Sequence, residues 1–169
     1  MIFRLSQKLN AKVKAGTLAA LPLDENPFAD WSAHLFVVDR TQYILVSNTK
    51  SLYSTVMYAK GINDNSTFID RALNNLREFL ADDGQQFTYR RLIAPASGTV
   101  RFAKALDRAV TGSMNDLINH ATAWLEDGTS PYEVGFKLND VLLSAIAPSK
   151  SAKYGKPREA FKKMASGMA

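Results

Sequence analysis

Three short apolar runs separated by polar tetrapeptides constrain the fold more than any other feature of this chain. The runs cover residues 34–38, 43–47 and 54–58 and are rich in Val, Ile, Leu, Phe and Tyr, as β-strands are. The turn-like segments DRTQ (39–42) and NTKS (48–51) separate them. Connections this short join antiparallel neighbours, so the segment predicts a three-stranded meander. The unbroken apolarity of LFVV and YILV indicates strands that are covered on both faces.

Four segments on either side of this meander have apolar residues at helical spacing. They cover residues 6–14, 67–80, 101–126 and 130–145. Ser6 and Ser130 stand where N-caps are expected, and Pro131 suits the first turn of the last helix. Residues 2–5 suit a first strand, and the alternation over 87–93 suits a fourth. We therefore expect an α+β fold, in which an antiparallel sheet built on the meander carries three to four helices.

The length of 169 residues favours a single domain. We assign residues 1–149 to one α+β domain and residues 150–169 to a basic C-terminal tail. A short helix is expected in this tail from Pro157 onward, with Phe161 and Met164 on one side.

Composition excludes several classes of protein. An apolar content of 46% excludes a disordered chain. The absence of cysteine excludes a disulfide scaffold, a thiolate metal site and a cysteine nucleophile. No apolar run reaches 18 residues, and the first 16 residues lack the apolar centre of a secretion signal. We expect a cytoplasmic protein without a membrane segment.

The charge is concentrated at the two ends of the chain. Residues 1–16 hold four basic residues and no acid, and residues 150–169 hold six basic residues against Glu159 alone. Residues 17–149 carry 11 basic and 15 acidic residues, so the net charge of +5 lies at the ends. Clustered positive charge acts on a polyanion or on an acidic surface. The partner we expect is therefore nucleic acid or an acidic protein.

The basic tail interleaves cations with Tyr154 and Phe161, a pattern that binds nucleic acid through phosphate contacts and base stacking. A solvated terminus with no ligand would have the same composition. The candidate binding residues of the tail are Lys153, Lys156, Arg158, Lys162 and Lys163. Further cations would strengthen this surface if the fold placed them beside the tail, and they are Arg90, Arg91, Arg101, Lys104 and Arg108.

Three other polar residues are candidate binding groups. Arg40 lies on the first turn of the meander, where a sheet presents side chains to solvent. Arg108 and Asn115 lie in the long predicted helix, where Arg108 could contact an anion. The same residue types also stabilise turns and line the polar borders of helices, so both interpretations stay open.

A second hypothesis is a small hydrolase or nuclease-like enzyme with His34, Asp116 and His120 as catalytic residues. Asp116 and His120 are four residues apart in a predicted helix, where an aspartate can hold an imidazole in one tautomer. The hypothesis requires His34 to meet them in one pocket. A polar border of an amphipathic helix would look the same in sequence. No metal-ligand spacing and no glycine-rich phosphate loop is present, so the sequence predicts neither a metal nor a cofactor.

Several long segments resemble a family of small bacterial proteins known only as a domain of unknown function. They are IFRLSQKL, ADWSAHLFVVDRTQYILVSNTKSLYS, RFAKALDRAVTGSMNDLINHA, SPYEVGFKLND and KPREAF. The resemblance covers most of the chain and implies no established activity. It does imply that a set of polar and aromatic residues belongs to the family pattern, namely Trp31, His34, Asp39, Arg40, Tyr43, Asn48, Asp107, Arg108, Asn115, Asp116 and His120.

The leading hypothesis from the sequence is a non-enzymatic binding or regulatory module of a bacterial cytosol, which engages its partner through the basic ends. A third hypothesis is a structural subunit whose long apolar strands complete a sheet with a second copy of the chain. Binding that weakens with salt would favour the binding module with nucleic acid as its partner, because neutralising phosphates releases counterions.

Overall fold

The computed structural model describes residues 1–167, which form a five-stranded mixed sheet with helices on both faces. The strands are β1 (Ile2–Leu5), β2 (Asp30–Val38), β3 (Thr41–Asn48), β4 (Ser54–Tyr58) and β5 (Arg101–Ala103), in the order β4-β3-β2-β1-β5. Strands β2, β3 and β4 are antiparallel, which confirms the predicted meander. Strand β1 pairs in parallel with β2 on one side and with β5 on the other. The α+β class is confirmed, but the expectation of a purely antiparallel sheet is wrong.

The predicted strand over 87–93 is wrong, because this run is helical. A short helix, α3 (Gln86–Thr88), leads into a π-helical turn over Tyr89–Ile93 and a 3₁₀ turn over Ala94–Gly98. The core contacts of the run have helical spacing, which coincided in sequence with a strand-like alternation. The contacting residues are Tyr89, Leu92, Ile93 and Ala96.

Six helices lie within residues 1–167, rather than three to four. Besides α3 they are α1 (Gln7–Val13), α2 (Asn65–Asp82), α4 (Arg108–Glu126), α5 (Pro131–Leu138) and α6 (Pro157–Gly167). The long helix expected from residue 101 starts at Arg108, because Arg101–Ala103 pairs with β1 as a strand. Helix α5 ends at Leu138, before the predicted 145, because the side chain of Asn139 bonds to the backbone of Ser54 in β4.

The expected N-caps of α1 and α5 are confirmed. The hydroxyl of Ser6 accepts from the amide of Leu9, and that of Ser130 accepts from the amide of Glu133. Helix α2 is capped by Asp64, whose carboxylate accepts from the Thr67 amide at 2.7 Å. The helix therefore starts two residues before the predicted segment 67–80, because Asp64 supplies the N-cap acceptor there.

The sheet has a core on each face, so its central strands are covered on both sides as the apolar runs predicted. In β3, Ile44 and Val46 face a core shared with α1, α2 and α6, whereas Tyr43 and Leu45 face a core shared with α4 and α5. This alternation places a helical layer on each side. No helix within residues 1–167 is both long enough and apolar enough to cross a membrane.

The connection from α5 to α6 is fixed by a close backbone contact. Leu143 and Gly155 pair as an antiparallel bridge, with both amide-to-carbonyl distances at 2.9 Å. A side chain at Gly155 would collide with the carbonyl oxygen of Ile146. The bridge brings the 144–148 segment against the start of α6, and helix α6 begins at Pro157, as expected from the sequence.

Candidate functional site

Helix α6 is fastened to the domain by one aromatic side chain. Phe161 is fully buried and stacks on Tyr53, with ring centroids 4.4 Å apart. The centroid of the Phe161 ring lies 5.2 Å from that of Phe28, in a T-shaped arrangement, and 6.4 Å from that of Trp31. Aromatic pairs at such distances add to the stabilisation from apolar burial. The C-terminal segment therefore includes a helix with its inner side in the core.

A charged network holds the first turn of α6. The guanidinium of Arg158 pairs with the carboxylates of Asp83 and Asp140, and it donates to the carbonyl of Phe136 at 3.1 Å. Asp83 also accepts from the hydroxyl of Tyr53 at 2.5 Å. Burial, then the hydrogen bond to Asp83, raise the pKa of Tyr53. Arg158, a candidate binding residue in the sequence, thus has its guanidinium occupied within the fold.

The outer side of α6 borders a groove, here called the loop-side groove, of about 540 Å³. Lys163 lines it from α6, and Lys156 lines it from the position just before α6. Lys50 lines it from the β3–β4 turn. Ile146 and Met164 also line it, and Glu159 is the one acid that lines it among residues 1–167. Three cations against one carboxylate give this groove a net positive charge.

A second groove, the helix-side groove of about 390 Å³, borders α6 next to the α3 segment. Lys162 lines it from α6, and Arg91 lines it from the π-helical turn. Phe87 also lines it and is 70% exposed, with the Arg91 guanidinium 5.5 Å from its ring centroid. The fold therefore brings Arg91 to the tail, as the sequence left open, and adds an exposed aromatic ring.

The five cations of the two grooves form what we call the α6 basic surface: Lys50, Arg91, Lys156, Lys162 and Lys163. Tyr154, 53% exposed, directly precedes the groove residue Gly155. Lys153 is exposed in the same loop. Sequence reasoning missed Lys50 and Phe87, because they lie more than 60 residues from α6 along the chain and only the fold joins them to it.

The three proposed catalytic residues do not share a pocket. His34 lies on β2 in a cavity at the end of β1, whereas His120 lies on α4 beside Trp124 and lines a different, shallow depression. Asp116 is exposed and, within residues 1–167, forms neither a hydrogen bond nor an ion pair with His120. The convergence that a His/Asp enzyme requires is not present in this geometry.

The remaining predicted binding residues fall on other surfaces. Arg40 is exposed on the β2–β3 turn with a positive φ of 67°, and Arg108 is exposed at the start of α4. Asn115 lines the same cavity as His34. None of the three lines either groove beside α6. In the described part of the chain, no three His, Asp or Glu side chains are placed to hold a metal ion.

Comparison with known proteins identifies the family. The model of a family described as a domain of unknown function, DUF6933, matches residues 2–160. The chain belongs to the DUF6933 family. No curated protein and no solved structure matches it. The resemblance to a domain of unknown function over most of the chain is thereby confirmed. The family's description states no activity, so a function for this DUF6933 protein has to be argued from the α6 basic surface and the cavities.

Proposed function

We propose that this DUF6933 protein is a non-enzymatic module that binds single-stranded nucleic acid on the α6 basic surface. The observation that carries the proposal is the pairing of this surface with exposed aromatic rings: Phe87 lines one groove, and Tyr154 adjoins the other. Single-strand binders combine a basic groove, which follows the backbone, with aromatic side chains on which bases stack.

The charges support contact with phosphates. Two positive grooves border α6, with Lys50, Lys156 and Lys163 in one and Arg91 and Lys162 in the other. A strand that runs across the outer side of α6 would meet both in succession. Each neutralised phosphate releases counterions, which makes binding favourable and dependent on salt.

The exposed rings support a single strand over a duplex or an acidic protein. Phe87 is among the few large apolar side chains that remain exposed, and Arg91 lies over its ring. Bases can stack on such a ring only when they are unpaired, since a duplex hides their faces. An acidic polypeptide would use the cations but leave the rings without a role.

The rigidity of α6 supports a preformed site. Phe161 in the core and the ion pairs of Arg158 hold the inner side of the helix, so the lysines of the outer side keep their spacing. A preorganised surface loses less conformational entropy on binding than a disordered tail would.

The test is fluorescence anisotropy with a labelled single-stranded oligopyrimidine and a duplex of equal length, at 50 and 200 mM salt. With about four phosphate contacts, affinity for the single strand should fall roughly 50-fold between these salt concentrations. Substitution of Lys156, Lys162 and Lys163 by Gln should weaken binding at least tenfold, by the loss of about three phosphate contacts. Substitutions are preferable to deletion of the tail, because deletion would remove Phe161 from the core.

The matched control neutralises three lysines that line neither groove, Lys12, Lys14 and Lys60. This variant has the same net charge as the α6 variant, so equal losses would show that only total charge matters and would contradict the proposal. Phe87→Ala should weaken binding about fivefold or more, since stacking contributes about 1–3 kcal/mol per base. Salt-independent binding, or equal competition by polyglutamate, would also contradict it.

A further inference from the structure

A cavity of about 810 Å³ lies on a different part of the fold, where strands β1 and β5 end. Ser6 follows β1 directly, and Lys104 follows β5 directly; both line the cavity. We call it the strand-end cavity. Strands β1 and β5 are parallel, so their carboxyl ends open at the same edge. In open α/β sheets, ligands bind in the crevice outside the carboxyl ends of parallel strands, and the parallel pair of β1 and β5 offers a comparable edge here.

The walls of the strand-end cavity come from three layers of the fold. Helix α1 and the loop after it form one side, His34 and Leu35 of β2 form the base, and the first half of α4 forms the other side with Thr111, Asn115 and Ile118. Its volume lies within the range of small-molecule pockets, about 300–1,000 Å³. A ligand there would contact helices, a strand and the loop after α1, and not a single loop alone.

The charge of the cavity is positive. Among residues 1–167, Lys8 and Lys104 are the only charged residues that line it, and no carboxylate side chain does. Both lysines are exposed, so their flexible side chains can turn their ammonium groups toward a ligand in the cavity. A lysine acts on phosphate or carboxylate as a mobile point charge. The cavity therefore favours an anionic ligand.

Hydrogen-bonding groups in the cavity remain available. Within residues 1–167, the side chains of His34 and Asn115 form no hydrogen bond. Among residues 1–167, no fully buried side-chain nitrogen or oxygen lacks a hydrogen-bond partner, so the unbonded ring nitrogens of His34 are accessible from the cavity that this residue lines. Burial lowers the pKa of His34, so the ring is neutral at pH 7 and offers one donor and one acceptor. Asn10, in contrast, is used to close the loop after α1 through Ala15 and Gly16.

We propose that the strand-end cavity binds a small organic anion, which carries a phosphate or carboxylate group and a polar body. Lys8 and Lys104 contact the anionic group, and His34 and Asn115 hydrogen-bond the body. This site is independent of the α6 basic surface, with which it shares no lining residue. It also gives His34 and Asn115 a binding role that does not require His120.

The experiment is a ¹H–¹⁵N NMR titration of the full chain with four probes: adenosine monophosphate, citrate, inorganic phosphate and uncharged adenosine. We expect saturable shifts at the amides of His34, Lys104 and Asn115 with adenosine monophosphate or citrate. Whichever of the two binds tighter identifies phosphate or carboxylate as the preferred anion. Inorganic phosphate should bind more weakly, and adenosine should give no saturable shift, because it lacks the anionic group.

Variants distinguish a built site from general attraction to lysines. The double substitution Lys8→Gln and Lys104→Gln should raise the dissociation constant at least tenfold, and Asn115→Ala, at an exposed position, at least threefold. The control Lys12→Gln, on the same helix as Lys8 but outside the cavity, should change it less than twofold. The spectrum of each variant without ligand reports whether it is folded.

Two results would overturn the proposal. The first is the absence of saturable shifts at these amides with every anion up to about 10 mM, a concentration above the dissociation constants of even weak specific sites. The second is a shift pattern that maps to α6 and disappears in the Lys156, Lys162 and Lys163 variant. Anion binding that persists in that variant, while oligonucleotide binding is lost, would separate this site from the proposed function.

Discussion

Arg4 and Arg158 come from the two basic ends of the chain, and both point inward, but they are held very differently. Arg4 is 1% exposed and donates five hydrogen bonds, two of them to the carboxylate of Asp30 at 2.8 Å. Arg158 is 19% exposed and shares its guanidinium between Asp83, which is 10% exposed, and Asp140, which is 56% exposed. Arg4 is buried within the domain, whereas Arg158 is partly exposed and holds the first turn of α6 against the domain.

The comparison shows that a run of like charges in sequence does not have one role in the fold. At each basic end one arginine, Arg4 in β1 or Arg158 in the first turn of α6, pairs with carboxylates of the domain, whereas the lysines remain on the surface. Arginine suits this use because its planar guanidinium can satisfy several acceptors at fixed angles. At the two basic ends, the residues available to a partner are therefore the lysines and not the arginines.

The largest effect is expected from Asp30→Asn, which leaves the buried Arg4 guanidinium without its counter-charge. Removing one partner of a buried ion pair costs about 3–5 kcal/mol. The free energy of unfolding, measured by urea denaturation, should fall by this amount. The control Glu25→Gln, at an exposed loop position, should change it by less than about 0.5 kcal/mol. A loss below about 1 kcal/mol for Asp30→Asn would mean that Arg4 is not buried as described.

A smaller effect is expected from Arg158→Ala, because its ion pairs are partly exposed. The loss should be about 1.5–3 kcal/mol, the range for hydrogen bonds to charged groups. Asp140→Asn should cost less than about 1 kcal/mol, since its carboxylate is largely solvated. If both variants cost the same in urea denaturation, Asp83 would not be the main partner of Arg158. Neither variant should weaken oligonucleotide binding as much as the α6 lysine variant does.

A smaller effect than that of Arg158→Ala is expected from Tyr53→Phe, and it should depend on pH. The folded protein holds the pKa of Tyr53 above its ordinary value of 10.0, by burial and by the hydrogen bond to Asp83. As pH rises past 10, the unfolded chain loses this proton while the folded chain keeps it, so stability falls with pH. One such group contributes a slope of about 1.4 kcal/mol per pH unit. The variant should lose about 1 kcal/mol at pH 7.

The alkaline slope provides the check on this prediction. The free energy of unfolding, measured at several pH values from 8 to 11, should decline less steeply with pH for Tyr53→Phe than for the unchanged chain. Tyr132 also has a raised pKa, through burial and a hydrogen bond to Asp82, so part of the slope should remain. Parallel slopes in both proteins would show that Tyr53 ionises normally in the fold.

The sequence predicted the elements whose determinants are local. The meander, the first strand and the caps at Ser6 and Ser130 follow from side-chain periodicity and from hydrogen bonds that span three residues. The parallel partners of β1 could not be predicted, because they lie about 28 and 99 positions away, at Asp30 and Arg101, and nothing local encodes that pairing. The same limit explains the misassignment of the 87–93 run.

The candidate site was predictable only in part. Lys156, Lys162 and Lys163 were found from charge clustering, and all three line grooves. Arg158 was grouped with them, because composition cannot distinguish a cation that meets solvent from one that meets Asp83. Lys50 is a single charged residue in a turn, and no cluster of charges in the neighbouring sequence indicates that it belongs to a binding surface.

The bridge between Leu143 and Gly155 has a consequence for how the loop-side groove could diversify. The bridge admits only hydrogen at position 155 and holds the 145–148 backbone, which lines the groove, against the start of α6. Substitution of the rim residues Lys50, Lys156 or Glu159 would alter the charge of the groove without disturbing this backbone contact. Substitution of Gly155 would do the reverse: the same charges would remain on a groove that no longer closes to the same width.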